Sequence, residues 1–235
     1  MSKSIIERVK QMAAQGTKYT HEEMELIRAR ESKKAHDALL KEHEEIRKSK
    51  VVGRNGVMPL HEKCTIDNFL VNSPQMAEVR DFAQGYINSF HLNNGTGFIF
   101  SGGTGTGKNH LAASICNALN ASGCSCLIIT VTELMQKLRR CYERDSGLNE
   151  DSFINSMVEL DLLVIDEIGL QRGTTAENLI LNQIIDQRTC KFKPTGMLTN
   201  NNFDEVKQCL GERIMDRMRM NGGAWKNFTW QSYRK

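Results

Sequence analysis

Short apolar runs alternate along most of the chain with segments of helical periodicity. The runs are apolar along nearly their whole length and read GFIF (97–100), CLIITV (126–131), DLLVID (161–166) and GMLTN (196–200). Strands of this kind are typical of a parallel sheet covered by helices on both faces. The segments between them predict helices over about 75–90, 133–142, 153–158 and 176–188, and one in the second part of 101–119. The pattern therefore predicts an α/β fold with a central parallel sheet flanked by helices.

The first 50 residues have a different pattern. Thr20 and Glu23 form a capping box, and residues 21–50 contain no glycine or proline, so the pattern predicts one long helix. Its apolar positions form only a thin stripe, made by Met24, Ile27, Ala35, Leu39 and Ile46. Two interpretations remain open, a solvated surface helix and a helix that lays its stripe against a partner's helices. The second is favoured slightly because an isolated helix of this polarity is marginally stable.

A linker is predicted directly after this helix. The segment VVGRNGVMPL, residues 51–60, contains two glycines and a proline and interrupts the helical pattern. We therefore expect a small N-terminal helical segment, residues 1–52, and a main domain, residues 53–235.

The composition is that of an ordinary globular protein, with 40% hydrophobic and 25% charged residues in a chain of 235. A formal net charge of +3 is too small to indicate a nucleic-acid partner by itself. Seven cysteines without a regular spacing indicate reduced thiols rather than disulfides. The N-terminal residues show no signal-peptide pattern, and no segment is apolar over the roughly 20 residues that a membrane span needs. These features predict a cytoplasmic protein with no membrane partner.

The segment SGGTGTGKNHLAASICNAL, residues 101–119, follows the first predicted strand. Gly102, Gly107 and Lys108 fit the G-x-x-x-x-G-K core of a P-loop, in the strand-to-helix context that the motif requires. Such glycines let successive backbone N–H groups converge on phosphate oxygens, and the positive end of the following helix adds to the attraction. The predicted nucleotide-binding residues are Gly102, Gly103, Thr104, Gly105, Thr106, Gly107, Lys108, Asn109 and His110.

Acidic and amide side chains follow the later strands. Asp166 and Glu167 end the strand 161–166, where Asp166 would hold magnesium and Glu167 would polarise an attacking water. Asn200 ends the strand 196–200, so in a parallel sheet its amide would lie near the same phosphates; the alternative is a turn residue in NNN. Because a second carboxylate serves to activate water, the set favours a nucleoside triphosphatase over a kinase.

With these motifs the chain resembles a known family from RNGVMPLHEKCTIDNF (54–69) to WQSYR (230–234). It is similar to the AAA+ ATPases, and specifically to the DnaC-type replicative helicase loaders of the DnaC/IstB-like group. The runs GTGKNHLA and GERIMDRM are far more specific than a generic P-loop. The resemblance implies ATP and Mg²⁺ as cofactors, Lys108 and Asp166 as the core of the ATP site, and Asn200 as the first sensor.

Asn109 stands where such loops usually carry Ser or Thr. The helicase loaders look like a branch that tolerates this asparagine. An amide oxygen can ligate magnesium, but it is bulkier than a hydroxyl for an ion that demands tight octahedral geometry. We therefore expect slow turnover, which suits a switch in which the bound nucleotide matters more than flux.

GERIMDRM places Arg213 and Arg217 four residues apart on one face of a helix. On the sequence pattern alone, these residues are interpreted as a pair of surface arginines. By resemblance Arg217 is the arginine finger, inserted into the ATP site of the next subunit, and Arg213 is the second choice. Only a turn and a strand around WKNFTW remain after Arg217, so no C-terminal lid is expected, and Arg234 is a weak candidate for the second sensor.

The helix 133–142 combines the cations Lys137 and Arg139 with the aromatic ring of Tyr142. A groove that binds single-stranded DNA needs such charges and a stacking platform. The alternative is a solvated basic helix end, which the helix dipole would stabilise in any case. The loop QRGTT looks like an initiator-type insertion, which would add Arg172 or Thr175 to the DNA contact.

These expectations combine into an ATP-dependent loader of a DnaB-type hexameric helicase in a bacterial cytoplasm, associated with the nucleoid. The N-terminal helices would grip the helicase, while copies of the ATPase domain form a spiral that binds single-stranded DNA. One alternative is an IstB-like transposition helper ATPase, which GERIMDRM and Asn109 disfavour. The other is a P-loop small-molecule kinase, which Glu167 and the two arginines disfavour.

Overall fold

The computed structural model describes residues 57–92, 95–142, 149–169 and 175–233, together with two helical positions, Ile27 and Arg30. The chain divides into two compact units, residues 1–50 and 51–235. Residues 51–56 of the predicted linker 51–60 lie outside the described residues, as does the predicted helix over 21–50 apart from those two positions.

The second unit is built on a five-stranded sheet in which all the paired strands run parallel. The strands are β1 Phe98–Gly102, β2 Cys126–Thr130, β3 Leu162–Ile168, β4 Thr195–Thr199 and β5 Ala224–Phe228. Their order in the sheet is β2-β3-β4-β1-β5. The predicted parallel sheet is confirmed, and β5 extends it next to the strand that leads into the P-loop.

Helices connect the strands. They are α1 Pro74–Asn88, α2 Lys108–Ala121, α3 Val131–Arg140, α4 Glu150–Glu159, α5 Thr175–Cys190, α6 Phe203–Leu210 and α7 Glu212–Arg219, with 3-10 turns at Pro59–His61, Phe90–Leu92 and Met220–Gly222. Sequence analysis did not predict α6. Its start nevertheless carries a complete capping box, in which Asn202 and Glu205 each bind the other's backbone N–H, and this pattern is readable in the sequence.

The sheet is buried on both faces, as the apolar strands predict. Helices α1 and α2 cover one face, where Phe98 and Val164 lie in one cluster with Leu111. Helices α3, α4, α5 and α7 cover the other, where Ile129 and Ile165 pack in a second cluster. Two layers of helices on a parallel sheet are the arrangement expected when strands are apolar along their full length. In the part of the chain described above, none of the helices has the length and apolar character of a membrane span.

A fully buried arginine ties the end of α5 to the neighbouring elements. Arg188 donates through Nη1 to the carbonyls of Met157 at 2.7 Å and Leu160 at 2.9 Å, and through Nε to Thr195 Oγ1 at 3.1 Å. Burial lowers the pKa of Arg188 to about 9. Because its donors satisfy carbonyls at the end of α4 and hydrogen-bond Thr195 at the start of β4, Arg188 has a structural role within the motif NQIIDQR.

Candidate functional site

The topology brings the predicted phosphate residues to one edge of the sheet. Strand β4 lies between β1 and β3, so the carboxyl ends of these three strands are neighbours. The glycine-rich loop follows β1, Asp166 lies within the last residues of β3, and Asn200 directly follows β4. In open α/β sheets this edge is where ligands bind.

Two glycines of the loop are required by their surroundings. Gly102 has a φ of +149°, and a Cβ there would lie 2.2 Å from the carbonyl oxygen of Phe228 on β5. Gly107 has a φ of +97°, and a Cβ there would lie 2.7 Å from the Phe69 ring. A side chain at either position would therefore collide with a packed neighbour as well as strain the backbone.

Lys108 is the first residue of α2 and is only 6% exposed. Its ammonium group donates to the carbonyls of Gly102 at 2.7 Å and Gly103 at 2.9 Å, and to Oδ1 of Asn200 at 2.9 Å. Burial lowers the pKa of Lys108, and the charge of Asp166 acts in the opposite direction. The structure thus brings together the predicted phosphate-binding lysine and the predicted sensor.

Asn109 and Asp166 are also in contact. The amide nitrogen of Asn109 donates to Asp166 Oδ2 at 2.5 Å, and the backbone N–H of Glu167 donates to Asp166 Oδ1 at 2.6 Å. Within the described residues no three His, Cys, Asp or Glu side chains gather into a metal site. Mg²⁺ in nucleotide sites is typically held by one or two carboxylates plus phosphate oxygens and water, so a carboxylate beside an amide fits it. Asp166 and Asn109 are the residues that would hold the ion.

Glu167 occupies an unusual backbone conformation. Its φ is +60°, and the pairing of β3 with β4 shifts register between Ile165 and Ile168. A left-handed conformation at a residue other than glycine is costly and is found most often at functional sites. The bulge interrupts the pairing with β4 at Asp166 and Glu167, and the exposed Glu167 lies at the rim of the pocket.

These residues surround a pocket of about 510 Å³. Six of the nine predicted nucleotide-binding residues line it, namely Thr104, Gly105, Gly107, Lys108, Asn109 and His110, together with Asp166, Glu167 and Asn200. Gly102, Gly103 and Thr106 do not line it. Thr106 is buried, and its hydroxyl donates to the carbonyl of Gly103 at 2.8 Å.

Sequence analysis missed a second wall of this pocket. It is formed by Leu60, His61, Cys64, Asn68, Phe69, Leu70 and Tyr233. The segment 60–70 is held against α2, because Asn117 donates to the carbonyls of His61 and Cys64, and His110 is bonded to the carbonyl of Thr65. The resemblance over 54–69 marked this segment but gave no role for it.

Arg213 and Arg217 share one partner and do not line the pocket of their own chain. Both lie on α7 and bind Asp186 of α5: Arg217 Nε donates to Oδ1 at 2.7 Å, and Arg213 donates to Oδ2. Burial acts to raise the pKa of Asp186, but its bonds to the two arginines outweigh burial and lower it. The hydrogen bond to Asp186 raises the pKa of Arg217. A shared carboxylate therefore fixes the direction of both side chains.

The predicted DNA-binding residues are placed only in part. Arg139 is exposed at the end of α3, and Tyr142 is 63% exposed with its hydroxyl bonded to Glu150. Lys137 pairs with Glu133 at 3.7 Å, which offsets its charge. Thr175 begins α5, but its side chain is not among the described ones; Arg172 and the second-sensor candidate Arg234 lie outside the described residues.

Replacing Asn109 with threonine should raise the rate of ATP hydrolysis. A hydroxyl is smaller than the amide that now binds Asp166, and Ser or Thr is the usual magnesium ligand at this position. We expect kcat to rise about tenfold, equivalent to about 1.4 kcal/mol of activation free energy, at an unchanged Kd for ATP. Phosphate release at saturating ATP and Mg²⁺ measures this, and an unchanged or lower kcat in a variant with normal thermal unfolding would contradict it.

Comparison with known proteins decides the family. The family model described as "IstB-like ATP binding protein" matches residues 5–220. The chain belongs to the IstB/DnaC family of AAA+ ATPases. The predicted family and P-loop fold are thereby confirmed.

Individual relatives agree with this membership. The Replicative helicase loader DnaC of Escherichia coli K12 is 44% identical over 197 residues, which cover 84% of this chain and 80% of that protein. YdaV of the same strain, an uncharacterised protein, is 42% identical over 204 residues, or 87% and 81% of the two chains. The crystal structure of the DnaC helicase loader superposes with a TM-score of 0.64 at 19% identity and covers 72% of this chain and 99% of that one, which shows the same fold.

Proposed function

We propose that this protein loads a DnaB-type hexameric replicative helicase onto DNA under the control of ATP. The observation that carries the proposal is the 44% identity to a replicative helicase loader over 84% of this chain. The matched region includes the P-loop segment. The pocket beside this loop supports the ATP-dependent part, since it gathers a buried lysine, two carboxylates and the amides of Asn109 and Asn200.

In this pocket the loop N–H groups and Lys108 bind the triphosphate. Asp166 and Asn109 would hold Mg²⁺, which when bound neutralises part of the phosphate charge. Glu167 polarises the attacking water, and Asn200 orients it from its place beside Lys108. Hydrolysis is slow, because Asn109 replaces the usual hydroxyl ligand, and the bound nucleotide acts as a switch.

Single-stranded DNA binds along the end of α3. Arg139 is exposed there, and the exposed ring of Tyr142 offers a face on which a base can stack. Arg217 reaches the ATP site of the next copy in a spiral, which is supported by its position outside its own pocket. Residues 1–52 bind the helicase through the apolar stripe seen in their sequence.

An IstB-like transposition helper is the second candidate, and the family match itself favours it, because the family model carries the IstB description. Such a protein would bind duplex DNA and a transposase instead of a helicase. The two candidates share the ATP site, so only the macromolecular partner separates them. A small-molecule kinase has no such support, since the chain belongs to a family of ATPases.

A mass measurement of the mixture with a DnaB-type helicase tests the proposed function. We expect the full-length protein to form a complex with the hexamer in ATP, and the variant lacking residues 1–50 to bind ATP normally while losing the complex. Light scattering after a sizing column gives both masses. A full-length protein that never elutes with the helicase, or a truncated one that still does, would contradict the helicase-binding role of this segment.

Replacing Arg139 with alanine should weaken binding of single-stranded DNA and reduce its salt dependence. Loss of one phosphate contact lowers the slope of log K against log salt by about 0.7 for a single strand. Fluorescence anisotropy of a labelled oligonucleotide at several salt concentrations measures this. Lys191, which pairs with Glu159 at 2.5 Å, is a matched control on another surface, and an equal change in Lys191→Ala would argue against a DNA site on α3.

A further inference from the structure

The last described residues of the chain lie against the phosphate loop. Strand β5 pairs with β1, the strand that enters the loop, and Phe228 lies beside Gly102 in the register. After β5 the indole N–H of Trp230 donates to the carbonyl of Thr106 at 2.9 Å. The backbone N–H of Tyr233 donates to the carbonyl of Gly105, also at 2.9 Å. The C-terminal segment therefore binds two consecutive carbonyls in the middle of the loop.

These two bonds add to the donors that bind the loop carbonyls. A loop that turns its N–H groups toward a common centre must direct its carbonyl groups elsewhere, and buried carbonyls need donors. Lys108 supplies them for Gly102 and Gly103, and the N–H of Leu111 binds the carbonyl of Gly107 at 3.1 Å. The donors for Gly105 and Thr106 come from the C-terminal segment. Their orientation thus depends on residues more than 120 positions away along the chain.

The same segment contacts the second wall of the pocket. The hydroxyl of Tyr233 donates to the carbonyl of Leu70 at 2.6 Å, and its ring packs edge-on against Phe69 with 6.2 Å between centroids. Phe69 in turn packs against His110 at 5.6 Å and lies directly over Gly107. Tyr233 and Phe69 both line the pocket. The segment consequently connects the phosphate loop to the segment 60–70.

We propose that Trp230 and Tyr233 are positioning residues for nucleotide binding. They fix the outward carbonyls of Gly105 and Thr106, so that the N–H groups of the loop face the phosphates, and Tyr233 closes the pocket against Phe69. The inference rests on the proposed ATP site. It adds a function for the C-terminal segment, which contains no P-loop residue.

The substitution Trp230→Phe in the full-length protein tests this role, because it keeps an aromatic ring and removes the indole donor. The carbonyl of the buried Thr106 then lacks its partner and the loop relaxes. We expect Kd for a fluorescent ATP analogue to rise about tenfold. Trp225→Phe is the matched control, since Trp225 Nε1 donates to Asn227 at 2.6 Å and does not line the pocket. An ATP affinity of Trp230→Phe equal to that of the control would overturn the proposal.

A spectroscopic measurement separates positioning from mere support of the fold. The chain has two tryptophans, so Trp225→Phe leaves Trp230 as the sole indole. Saturating ATP should change its emission, since the loop that Trp230 holds rearranges around the phosphates; an unchanged spectrum would count against the proposal. Tyr233→Phe, which removes the bonds of the hydroxyl to the carbonyl of Leu70 and to the sulfur of Met76, should raise Kd about threefold.

The outcome for Lys108 distinguishes failure of this inference from failure of the ATP site. If Lys108→Ala loses ATP and Trp230→Phe does not, the site stands and the positioning role is wrong. If both variants bind ATP like the unmodified protein, the site itself is wrong.

Discussion

The variant Lys108→Ala should lose ATP binding, with a Kd at least about 100-fold higher than that of the unmodified protein. Its ammonium group is buried at the mouth of the loop and points at three oxygens of the loop and of Asn200. Alanine removes the positive charge that a triphosphate would meet there. It also leaves the carbonyls of Gly102 and Gly103 without this donor, so the loop itself becomes less ordered.

The bonds of Lys108 also explain how ATP would be sensed. An ammonium group has three hydrogens, and here they bind Gly102, Gly103 and Asn200. A phosphate oxygen that binds Lys108 must therefore take over at least one of these bonds. Release of Asn200 would free its amide for the attacking water. With Asn200 as the proposed sensor, nucleotide binding and the position of its amide would be coupled through the side chain of Lys108.

Isothermal titration with ATP and Mg²⁺ measures the loss, and Lys207→Ala is the matched control. Lys207 is partly exposed on α6, pairs with Glu212 at 2.7 Å and does not line the pocket. Thermal unfolding without nucleotide checks that both variants fold. Normal ATP affinity in a folded Lys108→Ala variant would end the assignment of the phosphate site.

Much of the site was predictable because its parts are local. The glycines of the P-loop pattern determine the backbone conformation of the loop. Asp166 and Asn200 follow apolar strands, and in a parallel sheet the ends of these strands lie at the same edge as the loop. The helix α6 escaped prediction although the capping pair Asn202 and Glu205 is visible in the sequence. The only local pattern used from this region was NNN, residues 200–202, as an alternative turn.

Other parts of the site depend on contacts that no local pattern encodes. Tyr233 binds Leu70 across 163 positions of sequence, and Asn109 binds Asp166 across 57. Gly102 was predicted to serve the phosphate, but the structure adds a second reason for glycine, the close approach of Phe228. Strand pairing and side-chain packing decide such contacts only when the whole domain has assembled.

The second large effect should come from Arg217→Ala. We expect normal ATP affinity and a loss of about 10³-fold in the hydrolysis that helicase and single-stranded DNA stimulate, the range known for arginine fingers. Arg217 is suited to the role because its bond to Asp186 uses Nε and fixes the side chain. Of the two terminal nitrogens, Nη1 makes a long contact of 3.9 Å with the sulfur of Met220. Asp186 thus anchors the arginine without covering the part that would contact a phosphate.

Arg213→Ala is the matched control, since Arg213 binds the same carboxylate. Its stimulated rate should fall much less than that of Arg217→Ala. A larger loss in Arg213→Ala would transfer the finger to that residue, and undiminished stimulation in both variants would refute a finger on α7. Phosphate release under single-turnover conditions separates this effect from nucleotide exchange.

Mixing two inactive variants distinguishes a finger that acts between copies from one that acts within its own chain. Lys108→Ala has no working ATP site but keeps Arg217, and Arg217→Ala has the site without the finger. Head-to-tail contacts in a spiral let the first variant supply Arg217 to the ATP site of the second. In an equal mixture about a quarter of the interfaces should then combine an intact ATP site with an intact Arg217. Recovery of roughly that share of the stimulated rate requires a finger in trans. If Arg217 served only its own chain, or only the stability of α7 against Asp186, the mixture would stay as inactive as its components.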